Sequence, residues 1–340
     1  MRYLVSIIIP VYKVEAYIER CLTSVMHQTY HDSAIECILV DDCSPDESIS
    51  LAQDMINQYH GNIDFKIIRN DKNRGLSVTR NNGIEHATGK YLFFLDSDDY
   101  LKDDCLQILL KIAAMHPDAE MIMGNSLNKR ANAPFIHFPS TADYGILDNN
   151  QLLKSFYFEE IPPTAWNALV SHDLVTKNLL SFKPGLIHED NLWASKLYLL
   201  VTKFIFVPKI TLVYEDNPSS IMNNIAISND LGHRIIIMEE LLKSFNDNHF
   251  VDYALFLCIS LLRMLDMSKR CNVEMREKIK QQRDQLTKYS LCHGRIVLVL
   301  FELLMYNPMS SLLRFKFIRH NIDKIQRKTY STASFFNFLH

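Results

Sequence analysis

Apolar positions in the first third of the chain alternate between two periods. YLVSIIIP (residues 3–10) is a continuous β-branched run, the pattern of a strand buried on both faces. Glu15 to Gln28 instead carries Ile18, Leu22, Val25 and Met26 on one helical stripe. ECILVDD (36–42) predicts a second strand. Ser44, Pro45 and Glu47 then stand at capping-box spacing, predicting a helix to about Tyr59. FKIIRN (65–70) predicts a third strand, followed by a turn around Gly75, a helix through His86 and a stop at Gly89. YLFFLD (91–96) predicts a fourth strand, residues 103–116 a helix, and EMIMGN (120–125) a fifth strand.

Strands separated by helices of this length imply a doubly wound, mostly parallel sheet flanked by helices. From Ala131 to Pro163 prolines and Gly145 break the pattern, which predicts loops and a short helix. TAWNALVSHDLV, GLIHEDNLWASKLYLL and a strand-like KFIFVPKITLVY follow. Beyond Ile225 the periodicity is helical over Asp230–Phe245, Tyr253–Asp266 and Val273–Tyr289. The expected organisation is an α/β domain over 1–225 and a helical C-terminal region over 226–340.

Doubly wound sheets bind ligands outside the carboxyl ends of their strands. The first predicted strand ends in Pro10-Val11-Tyr12, the second in Asp41-Asp42 and the fourth in Asp96-Ser97-Asp98-Asp99. Carboxylates from separated segments thus converge on one edge, where a divalent cation would cancel the repulsion between Asp96 and Asp98. On extended backbone these two side chains point to the same side. The alternative is a helix start, with Asp98 or Asp99 as cap. An EF-hand beginning at Asp96 fails, because its sixth and twelfth positions are Leu101 and Gln107. An aspartyl-phosphate phosphatase would carry its DxD after the first strand of the domain, not the fourth. A second acidic motif, His188-Glu189-Asp190, offers either a general base or the cap of a helix over Asn191–Leu200.

Composition narrows the class further. With 48% hydrophobic and 22% charged residues the chain can build a sizeable core. A net charge of −3 gives no case for a nucleic-acid partner. The seven cysteines are odd in number with no CxxC pair, which predicts reduced, mostly buried thiols and a cytoplasmic setting. The longest apolar stretch near the C-terminus, Ile296 to Tyr306, is too short to span a bilayer and is interrupted by Glu302.

VSIIIPVYKVEAYIERCLTSVMHQTY, ILVDDCSPDES, NRGLSVTRNNGIEHATGKYLFFLDSDD and HEDN resemble, in order and spacing, the family 2 glycosyltransferases of the GT-A fold, over roughly residues 3–222. The resemblance implies a nucleotide-diphospho-sugar donor, usually a UDP-sugar, a Mn2+ or Mg2+ cofactor, and inversion at the anomeric carbon. It implies that Pro10 and Tyr12 line the nucleotide pocket and that Asp42, with Asp41 behind it, contacts the base. Arg74, Gly75 and Ser77 lie near the nucleotide, with help from Arg80. Asp96 sits over the ribose, Asp98 holds the metal, and Asp99 is a further donor or metal contact or a plain cap. Asp190 is the catalytic base, Glu189 beside it orients the acceptor, and Trp166, Asn167 and His188 border the sugar and acceptor pocket. The chain departs from the family at Cys43, where glycine is frequent, and at Glu215, where a basic residue is frequent. It lacks the QxxRW string of processive relatives, which implies single additions. A catalytically silent sugar-nucleotide-binding scaffold is the alternative of another class.

Leu312 to Lys328 holds six Lys/Arg against one Asp, with Phe315, Ile318 and Ile322 on one helical face. Such a segment either lies on an anionic membrane surface or packs on the catalytic domain. Lipid-linked glycan acceptors, common in the family, favour peripheral contact with the inner face of the cytoplasmic membrane.

Overall fold

The computed structural model describes residues 3–32, 34–136, 143–157, 161–215, 217–218, 226–243 and 277–281. The chain divides into two compact units, Met1–Ile225 and Ala226–His340.

In the first unit the continuous apolar runs become central strands. β1 (Val5–Val11) and β2 (Ile35–Asp41) are buried at every position, so neither shows alternation. Between them runs α1 (Ile18–Met26), whose Ile18, Cys21, Leu22 and Val25 face the core. α2 (Ser48–Gln58) leads to β3 (Ile63–Arg69), α3 (Leu76–His86) to β4 (Tyr91–Phe94), and a two-residue β5 (Tyr100–Leu101) precedes α4 (Cys105–Met115). Then come β6 (Met121–Asn128), β7 (Ala133–Pro134), β8 (Gly145–Asp148), α5 (Asn149–Tyr157), β9 (Ala168–Ser171), α6 (His172–Lys177), α7 (Glu189–Tyr198) and the long β10 (Lys203–Tyr214).

The sheet order is β3-β2-β1-β4-β9-β6-β10-β5, with β7 on β6 and β8 on β10. The half from β3 to β4 is wholly parallel. β9 then inserts antiparallel between β4 and β6, so the fourth and fifth predicted strands do not touch. The chain order reverses at β1, which is flanked by β2 and β4, and this is the topological switch point at which such sheets bind ligands. The β1–β4 ladder ends at Ile8 with Phe94, and two residues later Pro10 has no N–H to extend it.

Several local expectations change. The capping box at Ser44 does not form, and α2 begins at Ser48. Ser44 Oγ instead accepts the Lys13 N–H at 2.8 Å and donates to Asp46 at 2.5 Å. Asp46 takes over at the helix start, accepting from Ser48 Oγ at 2.6 Å. Asp98 and Asp99 cap nothing, because β5 intervenes before α4. α7 begins at Glu189, with a left-handed His188 (φ 62°) before it, so Asp190 lies inside the first turn and is not the cap.

In the second unit a helix spans Ile227–Lys243, close to the expected Asp230–Phe245. Residues 277–281, inside the expected Val273–Tyr289, are helical. The expected helix Tyr253–Asp266 and the basic segment 312–328 lie outside the described residues. Among the described residues no helix is long and apolar enough to cross a membrane.

Candidate active site

The carboxyl ends of β1, β2 and β4 bring the strand-end aspartates to one edge, with two layers of function. The outer strands build a rigid turn. Asp42 is buried and accepts from Asn70 Nδ2 at 2.7 Å, Arg74 N–H at 2.8 Å and Gly75 N–H at 2.8 Å. It thereby clasps the turn that starts α3, where Gly75 takes φ 82°, a conformation glycine adopts without strain. Asp41 accepts the Ser44 N–H at 2.7 Å and pairs with Arg69 at 3.2 Å. The Arg74 side chain stays half exposed, and Ser77 is buried with its Oγ unpartnered among the described residues. Pro10 is buried in β1, whereas Tyr12 is 39% exposed at its exit. Four of the non-glycine residues with positive φ border these segments: Lys13, Cys43, Asn167 and His188. Each costs about 1–2 kcal/mol, and such strain gathers at functional edges. At Cys43 this explains why glycine suits the position.

The inner layer is acidic. The chain turns at Ser97–Asp98, with Asp99 N–H on Asp96 O at 3.0 Å, so Asp96 and Asp98 do not sit on the extended backbone that would aim both to one side. They diverge to different partners. Asp96 Oδ1 pairs with Arg80 Nη2 at 2.5 Å. Asp98 Oδ2 accepts from Asn217 Nδ2 at 2.9 Å. Asp99 Oδ1 accepts the Glu215 N–H at 2.8 Å, and its Oδ2 is buried without a partner among the described residues. Burial, then repulsion from Asp96, raises Asp98; burial, then Asp98, raises Asp99. Glu215 itself pairs with Arg20 at 2.6 Å and Lys129 at 2.9 Å, so its charge is directed to the protein.

A hard divalent cation suits this donor set, which is all carboxylate oxygen and includes one buried oxygen unpartnered among the described residues. Among the described residues no three His, Cys, Asp or Glu side chains form a closed metal site. Magnesium and manganese commonly need only one or two carboxylates, the rest coming from phosphate and water.

α7 meets this edge through Arg80. Asp190 is half-buried at its first turn, and desolvation, then Glu189, pushes it up to about 7, although Arg80 pulls the other way. Glu189 pairs with Arg80 Nη1 at 2.5 Å. His188 is buried. Trp166 meets the end of β4 through a bridge to Phe94 and stacks on Tyr214 with centroids 5.9 Å apart. Burial and, after it, Asp99, Asp98, Asp96 and Asp190 push Tyr214 up to about 12, which sets Tyr214 against the whole acidic cluster. Asn167 braces rather than faces the site: its amide donates to Gly124 O and Asn125 O and accepts from Thr211 Oγ1. Periodicity and motif point to no role for Asn217, Tyr214 or Arg20, all supplied by distant segments.

Residues 6–174 match the family model described as Glycosyl transferase family 2. The glycosyltransferase GlyA of Streptococcus pneumoniae is 30% identical over 225 residues, which cover 64% of this chain and 31% of GlyA. The chain thus spans under a third of that relative's length. A crystal structure of residues 1–349 of S. aureus TarS in complex with UDP-GlcNAc superposes with TM-score 0.65 at 19% identity, over 82% of this chain and 79% of that one. A mannosyltransferase from Pyrobaculum calidifontis in complex with GDP-Man and Mn2+ gives 0.58 at 15% identity, over 94% and 87%. These superpositions give the GT-A fold, and glycosyltransferase, not phosphatase, is the enzyme class of the matches.

Proposed function

Because this chain carries a family 2 glycosyltransferase domain, we propose that it moves a sugar from a UDP-sugar to a hydroxyl of a glycan or lipid-linked acceptor, one residue at a time and with inversion. The observation that carries this reading is Asp190, half-buried in the first turn of α7 and raised to about 7 beside the strand-end carboxylates. A sugar hydroxyl is a poor nucleophile near neutral pH, and a carboxylate poised there accepts its proton during attack. The turn clasped by Asp42, with Gly75 just before α3 and Ser77 in its first turn, takes the nucleoside side of the donor. Asp96, tied to Arg80 of α3, takes the ribose. Mn2+ or Mg2+ would be held by Asp98 with Asp99 beside it, and when bound supplies positive charge to the diphosphate. Trp166 and Tyr214 form an aromatic wall for the sugar side. Attack from the Asp190 side, opposite the leaving diphosphate, inverts the anomeric centre. Residues 312–328 bring the enzyme to an anionic membrane surface.

The test is a panel of nucleotide sugars with Mn2+, scored for UDP release with and without candidate glycan acceptors. Release that depends on Asp190 supports the reading. A folded protein that binds UDP yet never turns over any donor supports the scaffold reading and overturns this one.

A further inference from the structure

Arg80 was expected near the nucleotide, yet its side chain is closed to any ligand. It is 1% exposed, and its two terminal nitrogens point to different parts of the chain. Nη2 binds Asp96 at the end of β4, and Nη1 binds Glu189 in the first turn of α7, each at 2.5 Å. Phe182 lies against the guanidinium at 5.3 Å. Phe182 also stacks on Trp193 of α7, with centroids 4.8 Å apart and planes within 9°. Trp193 in turn meets the edge of Phe94, the last residue of β4, at 5.5 Å. Glu189 and Trp193 are four residues apart, so they share one face of α7. Asn81, next to Arg80, fixes Phe182 by a reciprocal pair: its Nδ2 donates to Phe182 O and its Oδ1 accepts from Phe182 N–H, both at 2.8 Å.

α7 needs such a hold. It starts after left-handed His188, whose side chain does not cap it. It also presents Asp190 and Glu189 toward an edge already carrying Asp96, and like charges would push the helix away. Resting on the glycosyltransferase reading above, we infer that Arg80 is a positioning residue that ties the helix carrying the base to the strand end carrying the donor-side Asp96. Glu189 acts through it, as the arm by which α7 is gripped. Only a planar fork spans both carboxylates at once; a lysine is a point charge that satisfies one.

The test uses the full chain and the variants Arg80→Lys and Glu189→Gln. Titration calorimetry with UDP and Mn2+ reads donor-side binding, and transfer kinetics read kcat. The chain has two tryptophans, so in a Trp166→Phe background Trp193 alone reports on α7, without any ligand. Arg80→Lys is expected to lower kcat by about 100-fold, the cost of a misplaced catalytic group. UDP affinity should stay within about threefold, and Trp193 emission should move to the red with stronger acrylamide quenching. A fall in UDP affinity as large as the fall in kcat would make Arg80 a donor-binding group and overturn the inference. So would unchanged Trp193 emission with kcat within about threefold of the parent. If Arg80→Lys does not fold, Glu189→Gln carries the test: the same red shift supports the tie, and an unmoved emission overturns it. Failure of the parent to turn over any nucleotide sugar would count against the proposed reaction, while the ligand-free Trp193 comparison would still decide the tie.

Discussion

A carboxylate accepts a proton only when ionised, so Asp190 as the proposed base would make turnover pH-dependent in a definite sense. With Asp190 pushed up to about 7, kcat at saturating donor should rise with pH through that value and then level off. A profile flat from about pH 5.5 to about pH 9 would remove Asp190 from the role. Stability runs the other way. The folded value lies above the unfolded one near 3.9. The contribution is therefore full below about 4 and is lost as pH rises through about 7. Asp190→Asn, neutral throughout, should raise the unfolding free energy relative to the parent by about 1–3 kcal/mol near pH 8 and by less near pH 5. The same variant should lower transfer by about 10²–10⁴-fold with UDP binding kept. For Asp98→Ala, calorimetry should find that Mn2+ no longer strengthens UDP binding; an undiminished metal effect would refute the metal assignment. The acidic positions themselves were legible, because several carboxylates at strand ends conflict with burial unless something uses them. Their partners were not. Asp98 meets Asn217 across 119 residues, and Arg80 meets Glu189 across 109. Pairings at that separation are set by topology, which periodicity does not encode.

Elements were legible in proportion to their length. β1 and β2 stand out as unbroken apolar runs, and the 3.6-residue stripe of α1 survives as its buried face. β5 and β9, of two and four residues, are too short for any period to show, yet they decide that the sheet is mixed. The Ser44 box failed because a tertiary donor, the Lys13 N–H, competed for the same hydroxyl. Gly89 illustrates close approach between elements. Its N–H donates to Ser6 Oγ at 2.8 Å, and a Cβ added there would lie 2.6 Å from the Ser6 backbone nitrogen. Because that neighbour is backbone of a central strand, Gly89→Ala should destabilise the domain by about 2–4 kcal/mol, read from denaturant melts. A loss under about 0.5 kcal/mol would mean that β1 yields more readily than a fully buried strand should.

At the scale of the molecule, the donor class is open to mass action. A bound donor should raise the melting temperature in the presence of Mn2+, and the sugar giving the largest rise at equal concentration identifies the natural donor. Deleting residues 312–340 should weaken flotation with anionic vesicles and leave neutral vesicles unaffected; equal flotation by the full chain and the deletion would favour a packed segment. The acidic loop adds a thermodynamic consequence. Tyr100 and Leu101 pair with Val213 and Leu212 of β10, and Asp99 is held by the Glu215 N–H. The loop is thus stitched into the sheet before any donor arrives, and few of its residues remain to be ordered on binding. Calorimetry of UDP binding should therefore show a small heat-capacity change and a modest entropic loss, the signature of a preformed site, not of coupled folding.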